Sequence, residues 1–505
     1  MNIPLLININ GIYWDDWTLY NHSFEAIHSQ FSQNSGNAGI IWSSMHYFLI
    51  NYFGVVSYRV LTFGLLFLSG WFVFKILSNT SLFSKKDAFY LTIFFLLAPL
   101  YVSKVALINF WTTIASFIFY FSFYLLSKWY DKELNIFKRV VVLSLFFISF
   151  FINSILVFYA IVLIYIFYVE YSLDKSILKN TVSFIKKNTD FILLPIAFYI
   201  VKSIYFVPFG LYESYNNINI YNILNLDFYY LVFINNFIEP IKFSIPNIFF
   251  YIIILSLSLS ILFFRQNNQV SKKNIYFLLL GIIIFYLGAF AYISVNKIPA
   301  NYNWSSRFQV LLPLGFSFIL YYGIQIISNL LNLKSSVRYF LYLIFIIFFS
   351  FFHLKEQCEH NVDWLYQQSI IENFKNTIFI QENDTFEVTV NLDTKLAQKR
   401  LLGFYELNGL SREAFHKDNK FFFGYYQKKI LESYDKIINY KQYNFSSWKK
   451  NYTVRIEIND NLNNQFNKSW KDYWIYLLKL KYLEITDIDK FKKEVKNLVI
   501  IELKK

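Results

Sequence analysis

The sequence predicts a mainly α polytopic membrane protein of about ten spanning helices, followed by a C-terminal α+β domain on its outer face. Three observations carry that prediction. The 505 residues are 56% hydrophobic and 22% aromatic but only 16% charged, whereas a soluble chain has about a quarter of its residues charged. Uninterrupted apolar runs recur, such as "VVVLSLFFISFFINSILVFYAIVLIYIFYV" at 140–169, and soluble cores do not bury such runs repeatedly. After residue 354 the texture changes: charges become dense and short β-type runs appear.

The formal net charge is +14. Its basic residues are scattered rather than clustered, which fits the loops of a membrane protein better than a nucleic-acid surface. Cys358 is the single cysteine, so the chain has neither an intrachain disulfide nor a thiolate metal site. Heavy use of Asn, Lys, Ile, Phe and Tyr has the look of genome-wide bias. A lone aromatic, or a sequon such as "NYT" at Asn451, therefore weighs little.

Taken in order, windows long enough to span fall at 55–77, 89–107, 110–127, 140–153, 154–170, 190–207, 247–264, 275–295, 309–331 and 338–354. The two on either side of Asn153 are short and read as a tight hairpin. Alternate loops are rich in cations: Lys85 and Lys86; Lys128, Lys132, Lys138 and Arg139; Lys175, Lys179, Lys186 and Lys187; Arg265, Lys272 and Lys273; Lys334 and Arg338. The other loops hold only Lys104, Lys242, Lys297 and Arg307, with no basic residue before Arg59. The positive-inside rule puts the first set in the cytoplasm. The N-terminal segment and everything after 354 are then extracytoplasmic, at the cell (inner) membrane. The opening "MNIPLLINING" reads like the tail of a spanning helix, so a first helix is expected to be missing.

Beyond 354, "TFEVTVNL" (385–392), "YTVRIEI" (452–458) and "NLVIIEL" (497–503) read as strands. "VDWLYQQSIIENF" and "KSWKDYWIYLLKLKYLE" read as helices. The chain thus divides into 1–354, a membrane domain with outer juxtamembrane helices at 15–53, and 355–505, a soluble α+β domain. Internal repeats, Walker-type loops, GxGxxG and HExxH are absent from the sequence.

The N-terminal stretch "GIYWDDWTLYNHSFEAIHSQF" raises the chemical question. Trp17, Tyr20, Phe24, Ile27 and Phe31 recur at spacings of three and four, an apolar stripe on a short helix lying in the membrane interface. Asp15 or Asp16 would be its N-cap, and "SQNSGNAG" would end it. A second amphipathic piece, "IIWSSMHYFLINYFG", would lead into the first span through Arg59. Capping by Asp is common and contributes about 1 kcal/mol. One Asp satisfies a cap, and two in a row between tryptophans ask for more.

Outer-side cations are few, so each is informative. Lys104 lies in a short loop, Lys202 lies near the outer end of its helix, and Lys297 and Arg307 flank "NKIPANYNWSSRFQVLLPLG". Ionisable groups at a membrane boundary default to function, and a guanidinium can grip phosphate bidentately. The plain alternative for each is snorkelling to lipid head groups.

Paired acids and phosphate-binding cations on one face of such a scaffold resemble the GT-C membrane glycosyltransferases, which use polyprenyl-phosphate-linked sugars. "YWDDW", the stripe to Phe31, "IIWSSMHYFLINYFG", "YRVLTFGLLFLSGWFVF" and "SRFQVLLPLG" are similar, in that order, to the family's acidic first outer loop, juxtamembrane helices, basic helix entry and late arginine. The resemblance covers residues 1 to 354 and implies an inverting transfer to an extracytoplasmic glycan, lipid or protein acceptor. Under it, Asp15 or Asp16 is the catalytic base, and the other orients the acceptor or binds a divalent ion (Mg or Mn). Arg307, with Lys297 and Lys104 or Lys202, would hold the donor phosphate. Two rivals come from other classes. A transporter or flippase of lipid-linked sugars predicts inverted halves and interrupted helices. A non-catalytic scaffold leaves the paired acids unexplained.

Overall fold

The computed structural model describes residues 3–130, 134–174, 176–213, 215–245, 271–392, 396–424, 452–458 and 470–503. The chain enters through a 3-10 turn at Ile3–Asn8 and a second at Trp14–Thr18, followed by α1 (Phe24–Ser35). The predicted start of α1 at Asp16 is corrected to Phe24. Ser23, not an Asp, caps it, with its Oγ accepting from Ala26 N (3.4 Å). The stripe is thereby split, with Trp17 in the 3-10 turn and Ile27 and Phe31 buried on α1.

The next helix, α2 (Gly39–Asn79), joins the second amphipathic piece to the first predicted span. It bends at Gly54, whose φ of 67° and ψ of −172° are accessible only to glycine. The bundle continues through α3 (Lys85–Leu97), α4 (Phe110–Trp129), α5 (Ile136–Ser149), α6 (Asn153–Phe158), α7 (Ala160–Glu170), α8 (Ile177–Lys187) and α9 (Thr189–Tyr205). The short α10 (Ile220–Leu224), α11 (Leu226–Phe233) and α12 (Glu239–Ser244) follow, then α13 (Lys272–Ile293), α14 (Leu312–Leu330) and α15 (Ser335–Asn376). The expected hairpin at Asn153 is the turn between α5 and α6. The predicted span at 247–264 lies outside the described residues.

Among the described residues, five helices are long and apolar enough to cross a membrane: Phe24–Asn79, Leu107–Trp129, Asn153–Glu170, Lys272–Ile293 and Ser335–Asn376. The shorter α3 and the largely buried α14 pack within the same apolar core. Reversals of chain direction gather Lys85, Lys128, Arg139, Lys272 and Lys334 at one end of the bundle, the basic end. The N-terminal turns lie at the other.

Residue 354 marks no break in the chain path, because α15 runs straight through it into the C-terminal region. There α16 (Ile378–Glu382), β1 (Thr385–Asn391), α17 (Phe404–Phe415), β2 (Phe421–Gly424), β3 (Tyr452–Ile458), α18 (Trp470–Thr486), α19 (Ile488–Lys496) and β4 (Val499–Leu503) follow. The sheet order is β2-β1-β3-β4. Both neighbours of β1 run parallel to it, and only β4 is antiparallel. The expected α+β domain is therefore closer to α/β, since the β1–β2 connection is long enough to carry α17 as a crossover. One apolar cluster joins this sheet and α15 to Ile12, Trp17, Tyr58 and Phe110 of the membrane region.

Candidate functional site

Tyr13 is extended, and Trp14 then adopts a left-handed φ of 55°, a conformation that costs a bulky residue of the order of 1–3 kcal/mol. Its surroundings hold it there. The Trp14 ring stacks on Trp304 (5.2 Å, 16°), which is itself left-handed with φ 63°. The Trp14 N–H donates to Glu406 Oε1 (3.0 Å).

The two acids have separate surroundings. Asp16 is fully buried, and its carboxylate pins the turn: Oδ2 accepts from Tyr13 N (3.1 Å) and Oδ1 from Ile108 N (2.9 Å). Burial pushes it up to about 6, against the pull of the Leu107, Ile108 and Tyr13 N–H groups and of Arg59. Arg59 lies beneath and donates to the carbonyls of Asn8, Gly11 and Val105, tying the N-terminal segment to the α3–α4 loop. Asp15 remains partly open. Burial raises it to about 7, Arg307 opposes that, Asp16 and Glu406 add to it, and a hydrogen bond with Tyr405 opposes it.

Arg307 lies in the 3-10 turn Ser305–Gln309, its guanidinium held between the rings of Trp14 (4.4 Å) and Phe308 (4.7 Å). Its Nη2 donates to the Tyr215 hydroxyl (3.3 Å). Lys297 stands over the face of the same Tyr215 (3.3 Å) and donates to Asn216 Oδ1 (2.6 Å). Burial, helped by Arg307, lowers Lys297 to about 8. Neither cation has an ion-pair partner among the described residues. Lys202 donates to Asn153 Oδ1 (2.7 Å). The adjacent Ser154 meets Tyr292, whose ring packs on Phe308, so Lys202 lies farther along the same wall. Lys104 is elsewhere. It is buried and lowered to about 7 by that burial, and the charge acting on it is Glu356 of α15 rather than Asp15.

The sequence reading missed the contribution of the C-terminal domain. On one face of α17, Glu406 accepts from Trp14 N, and Gly409 approaches Trp17 so closely that a Cβ there would lie 2.7 Å from Trp17 Cβ. Arg412 on the same face donates to the carbonyls of Trp17 and Tyr20 (both 2.7 Å). Behind them Arg400 makes a two-point bond to Asp363 (2.8 and 2.7 Å) and a third to Glu406 (2.5 Å). Gln367 bridges Asp363 to the Trp17 indole N–H. In sequence, "GFYELNG" carries the signal of an ordinary helix start, and nothing in it marks Tyr405 as the neighbour of Asp15.

A divalent ion suits this donor set poorly. Both oxygens of Asp16 are taken by backbone N–H groups, and those of Glu406 by Arg400, Trp14 and Gly403. That leaves Asp15 as the one of these three carboxylates open to a ligand. The described residues contain no group of three His, Cys, Asp or Glu placed to hold a metal. The site can take up a proton at Asp15 and hold an anion at Arg307 and Lys297. Comparison with family models, curated proteins and solved structures finds no match.

Proposed function

We propose that the protein is a membrane glycosyltransferase that moves a sugar from a polyprenyl-phosphate-linked donor to an acceptor hydroxyl at the extracytoplasmic face. The observation that carries this reading is the placement of a partly open carboxyl, raised to about 7, within the influence of Arg307, which Tyr215 links to Lys297; neither cation forms a salt bridge among the described residues. A base works best when its pKa lies near the operating pH. In the proposed step the acceptor oxygen attacks the anomeric carbon and gives its proton to Asp15. The bond from that carbon to the phosphate oxygen breaks as the new one forms, so the configuration inverts. The leaving phosphate keeps the electron pair, and Arg307 and Lys297 stabilise its charge. Asp16 and Arg59 hold the turn that presents Asp15.

The test is transfer from a polyprenyl-phosphate sugar in proteoliposomes, with wild type beside Asp15→Asn. Labelled sugar covalently joined to an acceptor by wild type alone supports the reading. Movement of intact lipid-linked sugar across the bilayer without transfer would instead identify a transporter.

A further inference from the structure

A partly open apolar cavity of about 120 Å³ runs from mid-bundle toward the basic end, far from Asp15. Its walls come from α2, α4, α7, α13 and α14 and include Ile76, Phe123, Ile161, Leu280 and Phe318. Tyr120 lines it too, with a buried hydroxyl that has no hydrogen-bond partner among the described residues. Apolar walls that open toward a bilayer find their dispersion partners in hydrocarbon chain, the abundant apolar species there.

The rim adds charge. Phe83 lines the cavity and packs on Phe277 (4.8 Å), and the Lys273 ammonium stands 5.5 Å from the centre of that ring. Lys85 follows Phe83 by two residues, and Lys272 adjoins Lys273. All three lysines are exposed, and none is paired with a carboxylate among the described residues. The nearby acids are engaged: Asp87 by Ser84 N–H and the Tyr321 hydroxyl, and Glu170 by Lys187.

We propose that this cavity binds one hydrocarbon chain of an anionic phospholipid whose phosphate sits among Lys85, Lys272 and Lys273. The site is at the opposite end of the bundle from Asp15, so it stands independently of the sugar-transfer reading.

The experiment uses full-length protein in phosphatidylcholine nanodiscs with a trace of phosphatidylglycerol carrying a photoreactive group on one chain. Labelled peptides should map to 73–83, 161–168 and 280–284. Unlabelled phosphatidylglycerol should compete and phosphatidylcholine should not. Lys272→Ser with Lys273→Ser should weaken that competition by up to about 30-fold, the factor two basic residues contribute at an anionic surface. Leu280→Trp, or Ile161→Phe should the first not fold, should remove the label by filling the cavity. Equal competition by phosphatidylcholine, or label unchanged in the filled variants, overturns the proposal. So does stronger competition by polyprenyl phosphate, which would assign the cavity to a different lipid.

Discussion

Asp15 and Asp16 are neighbours in sequence with opposite duties, and substitution should separate them. Asp15→Asn keeps the shape and removes the proposed base, so transfer should fall by about 10²–10⁴ at matched membrane levels. Wild-type kcat/KM should rise with pH through about 7, since Asp15 must be ionised to act. The same shift has a consequence for stability. The Asp15 carboxyl ionises at about 7 in the folded protein, against a reference value of 3.8. Holding its charge in a partly buried site therefore costs stability that grows as pH rises from about 4 to about 7. Asparagine removes that cost, so Asp15→Asn should melt higher than wild type near pH 8 and equally near pH 4. A purely structural role for Asp15 predicts a lower midpoint at both. Asp16→Asn should behave differently, because one backbone N–H loses its acceptor; a loss of about 1–3 kcal/mol is expected, read as a lower midpoint. Arg307→Lys keeps charge but gives up the planar group packed between Trp14 and Phe308, so donor KM should rise more than kcat falls. The sequence showed the pair, the arginine and Lys297, because charges are rare there. It did not show which Asp is free, since that depends on the Ile108 N–H, 92 residues away.

At the level of elements, helices with long apolar windows were legible because a bilayer demands them. Misreadings occurred where tertiary bonds took over a local signal. Asp16 resembled a cap for α1, yet its carboxylate binds Tyr13 and Ile108, and the helix starts eight residues beyond at Phe24 with Ser23 capping. The strand "FFFG" was too short to show periodicity, and it forms because β1 offers a parallel edge. Two glycines make these arrangements testable. Gly54→Ala meets no neighbouring atom, so any effect comes from backbone strain alone. It should cost about 1–3 kcal/mol and, by straightening α2 above Arg59, reduce transfer. Gly409→Ala places a methyl against Trp17, which must shift or push α17 away. The expected result is about 1–3 kcal/mol of destabilisation and a lower kcat, together with altered tryptophan fluorescence. Unchanged fluorescence and full activity would show that α17 does not set the position of the Asp15 turn.

The whole molecule is organised by the contrast between its two ends. Cations collect where α2, α4, α7 and α14 finish and α3, α5, α13 and α15 begin. The Asp15 turn and the C-terminal sheet share the opposite end and one apolar cluster. Length and charge asymmetry made this division legible, whereas the docking of α17 on the Trp14–Thr18 turn joins residues almost four hundred positions apart and left no local trace. The positive-inside rule predicts a cytoplasmic location for the cation-rich end, and under that prediction Asp15 and the sheet face outward together. Single cysteines can test this because the native Cys358 is 1% exposed and should stay silent toward a membrane-impermeant maleimide. Asn37 and Asn419 are exposed at the site end, and Lys179 and Ser336 are exposed at the basic end. In intact cells Asn37→Cys and Asn419→Cys should label at once, while Lys179→Cys and Ser336→Cys should label only after permeabilisation. Protection of Asn37→Cys and Asn419→Cys with free labelling of the other two would invert the molecule, placing the Asp15 carboxylate in the cytoplasm and removing the proposed extracytoplasmic acceptor. Labelling of Asn37→Cys without Asn419→Cys would place the two on opposite sides of the membrane, which is incompatible with the bonds from Arg412 to Trp17 and Tyr20.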